Sequence, residues 1–151
     1  MQPKLLDAVF GGGAAQSAWT GGATWYIGVS TQAWSTSVTD ASLLAAEAGG
    51  TPFSTGSYAR IVVTNNATNF TAASGSNPAT KKMHVSFSFA ASSAAWQSGA
   101  TALQSFFIAD ASTLGAGNVL WSGALSPNSD VVNGVGVTFT FAIDALQFTL
   151  S

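Results

Sequence analysis

MHVSFSF, from Met83 to Phe89, alternates without a break: Met83, Val85, Phe87 and Phe89 fall on one side, His84, Ser86 and Ser88 on the other. A period of two is the signature of an extended chain with one face on a core and the other on water. VGVTFTF (Val135 to Phe141) follows the same rule, with Val135, Val137, Phe139 and Phe141 opposite Gly136, Thr138 and Thr140. Each buried Phe or Val contributes about 1.5–3 kcal/mol relative to exposure, so these two stripes are expected to hold two sheets together.

Five more segments read the same way. TWYIGVS (Thr24 to Ser30) is followed by ARIVVTN (Ala59 to Asn65), LQSFFIA (Leu103 to Ala109), NVLWSGA (Asn118 to Ala124) and ALQFTLS (Ala145 to Ser151). Turn formers separate them: Ser74 to Pro78, Gly115 to Asn118, Ser126 to Asp130, and Asn133-Gly134. Short strands broken by such turns, without helical crossovers in the C-terminal half, predict an all-β fold: an antiparallel β-sandwich or jelly roll.

Helical spacing occurs twice. Leu5, Leu6, Val9 and Phe10, with Pro3 before them and Gly11-Gly12-Gly13 after, predict a short N-terminal amphipathic helix with a glycine stop over residues 1–13. TDASLLAAEAGG (Thr39 to Gly50) offers Thr39 or Asp40 as N-cap, helix formers from Leu43 to Ala48 and a Gly-Gly end, so a helical turn is expected within this connection. No internal repeat and no long linker interrupts the chain, which reads as one domain of 151 residues, with the sandwich over 24–151.

Charged residues make up 7% of the chain, against roughly 25% in an ordinary soluble domain. With a net charge of -2, such a surface gives a free monomer little electrostatic solubility, yet costs nothing when other subunits cover it. An assembly component is the expectation. Four basic residues, two of them Lys81-Lys82, build no stripe for a run of phosphates, so nucleic acid is not an expected partner. No stretch reaches the length of an apolar membrane-spanning helix, no basic amphipathic helix suits a membrane surface, and MQPKLLDAVFGGG is too short and weakly basic for a secretory signal. The chain has no cysteine and hence neither a disulfide nor a thiol nucleophile.

Reactive constellations do not emerge. His84, the single histidine, lies on the polar side of its strand, where a surface or interface role suffices. Asp7, Asp40, Glu47, Asp110, Asp130 and Asp144 stand singly in caps, turns and connections, and most read as backbone-capping groups; an Asx-type turn accounts for Asp110. There is no GxSxG, HExxH, EF-hand or phosphate-binding loop, so no enzyme, no cofactor and no metal is expected. The triplets starting at Asn66 and Asn69 read as part of a turn rather than as glycan acceptors. The tryptophans (19, 25, 34, 96 and 121) suit packing first and a carbohydrate platform second.

LLDAVFGG, WYIGVSTQAW, SYARIVVTNNATNF with AASGS after it, MHVSFSFA, Trp96, FFIADASTLGAGNVLWSGALS and VTFTFAIDALQFTL, in this order, resemble a family of small virion structural proteins of tailed bacteriophages. Members are commonly labelled tail-fibre or minor structural proteins, and similar small β-sandwich proteins act as capsid cement or decoration. The chain departs from the usual pattern in the longer TDASLLAAEAGG connection and in FAIDALQF before the last strand. The resemblance carries no catalytic residues. It implies a building block of the virion: a cement protein bridging major capsid subunits first, and a tail-fibre or tail-tip component touching the host second; apart from the resemblance, a jelly roll with exposed indoles leaves a free carbohydrate-binding module as a third reading. The implied partners are the major capsid protein or other virion proteins, with copies of the chain in a dimer or trimer.

Candidate interface residues are Leu5, Leu6, Val9 and Phe10 on the N-terminal helix, together with Trp34 and Arg60. Arg60 is the only arginine; alternation in YARIVVTNN sets Arg60, Val62 and Thr64 against Ile61 and Val63. Its planar fork suits either loop carbonyls and an acid of its own fold or a carboxylate on an adjoining subunit; the first is favoured.

Overall fold

A computed structural model describes residues 24–47, 57–64, 66–75, 79–96, 102–129 and 135–150. These contain eight strands and one helix: β1 (Thr24–Ser30), α1 (Asp40–Ala45), β2 (Ile61–Thr64), β3 (Ala79–Lys82), β4 (Phe87–Ser88), β5 (Leu103–Ala109), β6 (Val119–Ser129), β7 (Thr140–Phe141) and β8 (Gln147–Leu150). The all-β expectation holds. The helix expected over 1–13, with Leu5, Leu6, Val9 and Phe10, lies outside the described residues.

The described residues fall into two compact units, one within 25–62 and 88–139, the other from Thr24 with residues within 63–87 and 140–150. The first holds most of a four-stranded sheet ordered β2-β1-β5-β6, in which β5 pairs antiparallel with both β1 and β6. Phe106 and Phe107 of β5 point to opposite faces, and each lies on a glycine: Phe107 opposite Gly28 of β1, Phe106 opposite Gly123 of β6. A Cβ on Gly28 would stand 2.3 Å from Phe107, and one on Gly123 2.7 Å from Phe106. Both rings therefore lie flat across the neighbouring strand, an arrangement only glycine permits.

Strict alternation in TWYIGVS predicts a polar face for β1, but both faces are covered. Trp25, Ile27 and Val29 are buried on one, Gly28 and Ser30 on the other. The second face is closed from above: Leu44 of α1 packs with Phe107 and Ala109, and Val119 joins them. The helix reaches this position through its caps. Thr39 and Ser42 form a capping box, each side chain accepting from the other's backbone N–H. At the other end Ser30 Oγ meets the carbonyls of Leu43 (2.9 Å) and Ala46 (3.0 Å), pinning the end of α1 to the end of β1.

Other parts of the strand pattern fail instructively. Val135 is 80% exposed, and the segment expected to run from Val135 to Phe141 is a strand only at Thr140–Phe141. Gly136 has φ +79°, and Ser92 inserts its hydroxyl into the ladder, accepting from Val137 N at 3.0 Å while Gly136 N donates to the Ser92 carbonyl at 2.7 Å. A side chain competing for backbone groups breaks the regular pairing that alternation alone implies. MHVSFSF is likewise broken: Met83 and Phe89 are buried, but regular strand survives only at Phe87–Ser88. In the second unit the partner of β8 is ATKK, with Lys81 opposite Phe148 and fully buried. β6 also runs through Ser126–Ser129, where a turn was expected.

Candidate functional site

Ser30 bridges to Glu47, and the chain reversal after α1 turns that carboxylate inward. Thirteen residues on, Arg60 enters the same space from the residue before β2. Arg60 Nε donates to Glu47 Oε1 and Nη2 to Oε2, both at 2.7 Å, and both side chains are 0% exposed. This is the bidentate geometry in which a guanidinium matches a carboxylate best.

The remaining valences of the pair are filled within the fold. Tyr58 OH donates to Glu47 Oε1 at 3.2 Å and accepts from Val29 N at 3.0 Å; Gly115 N donates to Glu47 Oε2 at 2.6 Å. Arg60 Nη1 donates to the carbonyls of Ala111 (2.5 Å) and Ala116 (3.0 Å). Beneath it lies the Phe107 ring, 5.1 Å from Cζ, where a cation meets the negative face of the π-system. Gly28 thus contributes indirectly, by letting that ring lie flat under the guanidinium.

The pair therefore holds a loop. Residues 111–117 between β5 and β6 are tied to Glu47 and Arg60 at Ala111, Gly115 and Ala116. Asp110 closes the neck: its Oδ1 accepts from Asn118 N at 2.8 Å and its Oδ2 from Asn118 Nδ2 at 2.7 Å. That is a bracket across eight residues, in place of the local Asx-type turn expected for Asp110.

These hydrogen bonds from the Asn118 side chain and backbone lower the Asp110 pKa from the ordinary 3.8. A carboxylate held below its unfolded value stabilises the fold above that value, and the contribution fades as pH falls through the lowered one. Carbon-detected NMR titration should place the Asp110 midpoint below 3.8. In Asn118→Ala the midpoint should return toward 3.8; an unchanged midpoint would contradict the bracket. Tyr58 is shifted the other way: burial, and then the charge of Glu47, hold its proton well above the ordinary 10.0. Its phenol therefore remains a donor throughout the neutral range.

Of the candidate site residues, Arg60 is buried and has its bonds inside its own chain, in the arrangement favoured from sequence. Val62 and Thr64, expected on its face, are exposed, because Arg60 precedes the strand and does not share its alternation. Trp34 is 39% exposed and lies over β6, where its Nε1 donates to Ser122 Oγ at 3.2 Å. His84 is exposed. Glu47 was missed: read as a capping group, it is the counter-ion of the only arginine. The signal was present, since a chain this poor in charge has few acids to offer and Glu47 is the one that ends an amphipathic helical turn shortly before Arg60.

Among the described residues no group of three or more His, Cys, Asp or Glu is placed to hold a metal, and no described helix is long and apolar enough to cross a membrane. No curated protein matches the chain. A family model described as podophage GP4 fiber I protein gp80 matches residues 1–149. The chain belongs to this phage fibre protein family, and so to the structural proteins of the virion.

Proposed function

Starting from that membership, we propose that the chain is a non-enzymatic building block of a podophage tail fibre. The family match over nearly the whole chain carries the reading. The buried polar cluster supports it, because the donors and acceptors of Glu47, Arg60 and Tyr58 are directed at the fold and the loop rather than at an open cleft. Burial of both faces of β1 and β5 favours a layered β-sandwich subunit. Its partners are other fibre or tail proteins and further copies of the chain.

Low charge and a small β-rich body suit a capsid cement protein equally well, and from composition the two roles look alike. The family description names a fibre, which moves the proposal from shell to tail. Copy number distinguishes them. Quantitative mass spectrometry of purified virions should find this chain at a small fraction of the major capsid protein; a count comparable with the capsid protein would restore the cement role.

A further inference from the structure

α1 and loop 111–117 are far apart in the chain and meet over the same face of the four-stranded sheet, that of Phe107. Leu44 of α1 packs on Phe107 and Ala109, and a methyl on Gly115 of the loop would stand 3.8 Å from the Leu44 carbonyl. Each is fastened to the sheet by bonds of its own. Thr31 N donates to the Ala46 carbonyl at 2.9 Å and Ser30 Oγ bonds the Leu43 carbonyl, so the end of α1 is tied to the end of β1. The loop is gathered at its neck by Asp110 and Asn118. Between the two stands the Glu47–Arg60 pair, its carboxylate two residues beyond α1 and its spare valences on the loop backbone.

The pair stays dry only while both elements are in place. If α1 lifts and takes Glu47 with it, Arg60 is left over the Phe107 ring as a buried charge without a counter-ion. The guanidinium must then leave for water, which releases the carbonyls of Ala111 and Ala116. If the loop lifts, Glu47 Oε2 and Arg60 Nη1 lose its backbone groups and meet water, and a hydrated ion pair holds α1 only weakly. Each half-open state is therefore poorer than the closed state and poorer than the state with both elements released. The pairing of β5 with β1 and β6 is made by other backbone groups and survives the change.

We propose that α1 and loop 111–117 form one cover over the Phe107 face, latched by the Glu47–Arg60 pair, and that this cover opens and closes as a unit while β1, β5 and β6 stay paired. Such an opening is a sub-global event, with a free energy below that of unfolding the whole chain. The coupling is reciprocal: a change that loosens the loop loosens α1 by the same factor, and the reverse. The inference concerns motion within the subunit and stands apart from fibre or shell placement, which virion copy number tests.

Amide hydrogen exchange of the full chain, followed by NMR in rising sub-denaturing guanidinium, reads the coupling. The amides of Leu43 and Ala46, bonded within the capped helix, and that of Gly115, bonded to Glu47, should converge on one opening free energy and one denaturant slope, both below those of the β5 amides. Gly117 has φ +94°, and a Cβ there would stand 2.7 Å from the Ala111 Cβ, so Gly117→Ala strains the closed loop. It should speed exchange at Gly115 roughly tenfold, and at Leu43 and Ala46 by the same factor. Thr39→Ala, which removes the α1 cap, should speed Leu43 and Ala46 roughly fivefold and Gly115 equally. Should Gly117→Ala misfold, Thr39→Ala decides alone. The proposal is overturned if Gly115 and the α1 amides keep separate opening energies, if all of them exchange only together with β5, or if a folded variant speeds one element and leaves the other unchanged.

Discussion

Arg60→Met should lower the free energy of unfolding by about 3–5 kcal/mol, because it leaves the Glu47 carboxylate buried without its counter-ion. Both side chains are fully shielded, so neither charge can recover solvation without the fold opening. Against a typical domain stability of about 5–15 kcal/mol, the loss is a third or more of the total. Glu47→Leu should cost a similar amount by stranding the guanidinium. In the double variant no charge is left, and the loss should be well below the sum of the two. It should not vanish, because the buried Tyr58 OH loses its acceptor at about 1–3 kcal/mol, while Gly115 N and the Ala111 and Ala116 carbonyls, on a loop that water reaches, exchange their partners for water at a smaller cost. Denaturant unfolding of the four proteins forms a double-mutant cycle. Single-variant losses under about 1 kcal/mol, the scale of an exposed ion pair, would contradict a buried structural tie.

The second large effect is expected at Trp96. Its indole is 0% exposed and meets Tyr58 edge-on at 5.1 Å and Phe89 at 5.3 Å, while Tyr58 and Phe89 stack at 5.5 Å. Trp96→Ala removes a large buried ring and leaves a cavity, costing about 3–5 kcal/mol. At about 2–4 °C per kcal/mol for a chain of this size, the melting temperature should fall by roughly 6–20 °C. Tyr58 rests on this cluster, so its near-ultraviolet circular dichroism should also change. Trp34→Ala, at a partly exposed ring, should change stability far less. Equal losses at the two positions would contradict the placement of Trp96 in the core.

How much of this was legible in the sequence depended on whether local pattern and tertiary demand agreed. TWYIGVS and LQSFFIA both occur as strands with the expected bounds, although the polar face that alternation implies for the first is covered. Thr39 was legible as an N-cap because its reciprocal bonds are to Ser42, three residues away. ATKK was passed over because two lysines suggest solvent; its pairing to β8, with Lys81 buried, is set by a distant strand. Val135 and Val137 alternate like core residues, but Ser92, some forty-five residues upstream, takes the Val137 N–H and interrupts the ladder. Arg60 was legible as an intramolecular tie by its isolation, whereas its partner Glu47 needed the docking of α1 onto Ser30 to come into view. The virion role was visible in the order of motifs, but shell and fibre make the same demands on composition, and the family match was needed to favour one.

The most direct test of the central claim, a structural subunit of the fibre, is electron microscopy of intact virions labelled with a gold-conjugated antibody against this chain. Gold on the tail fibres is the expected result. Gold distributed over the capsid shell, or no chain in the purified particle, would contradict it.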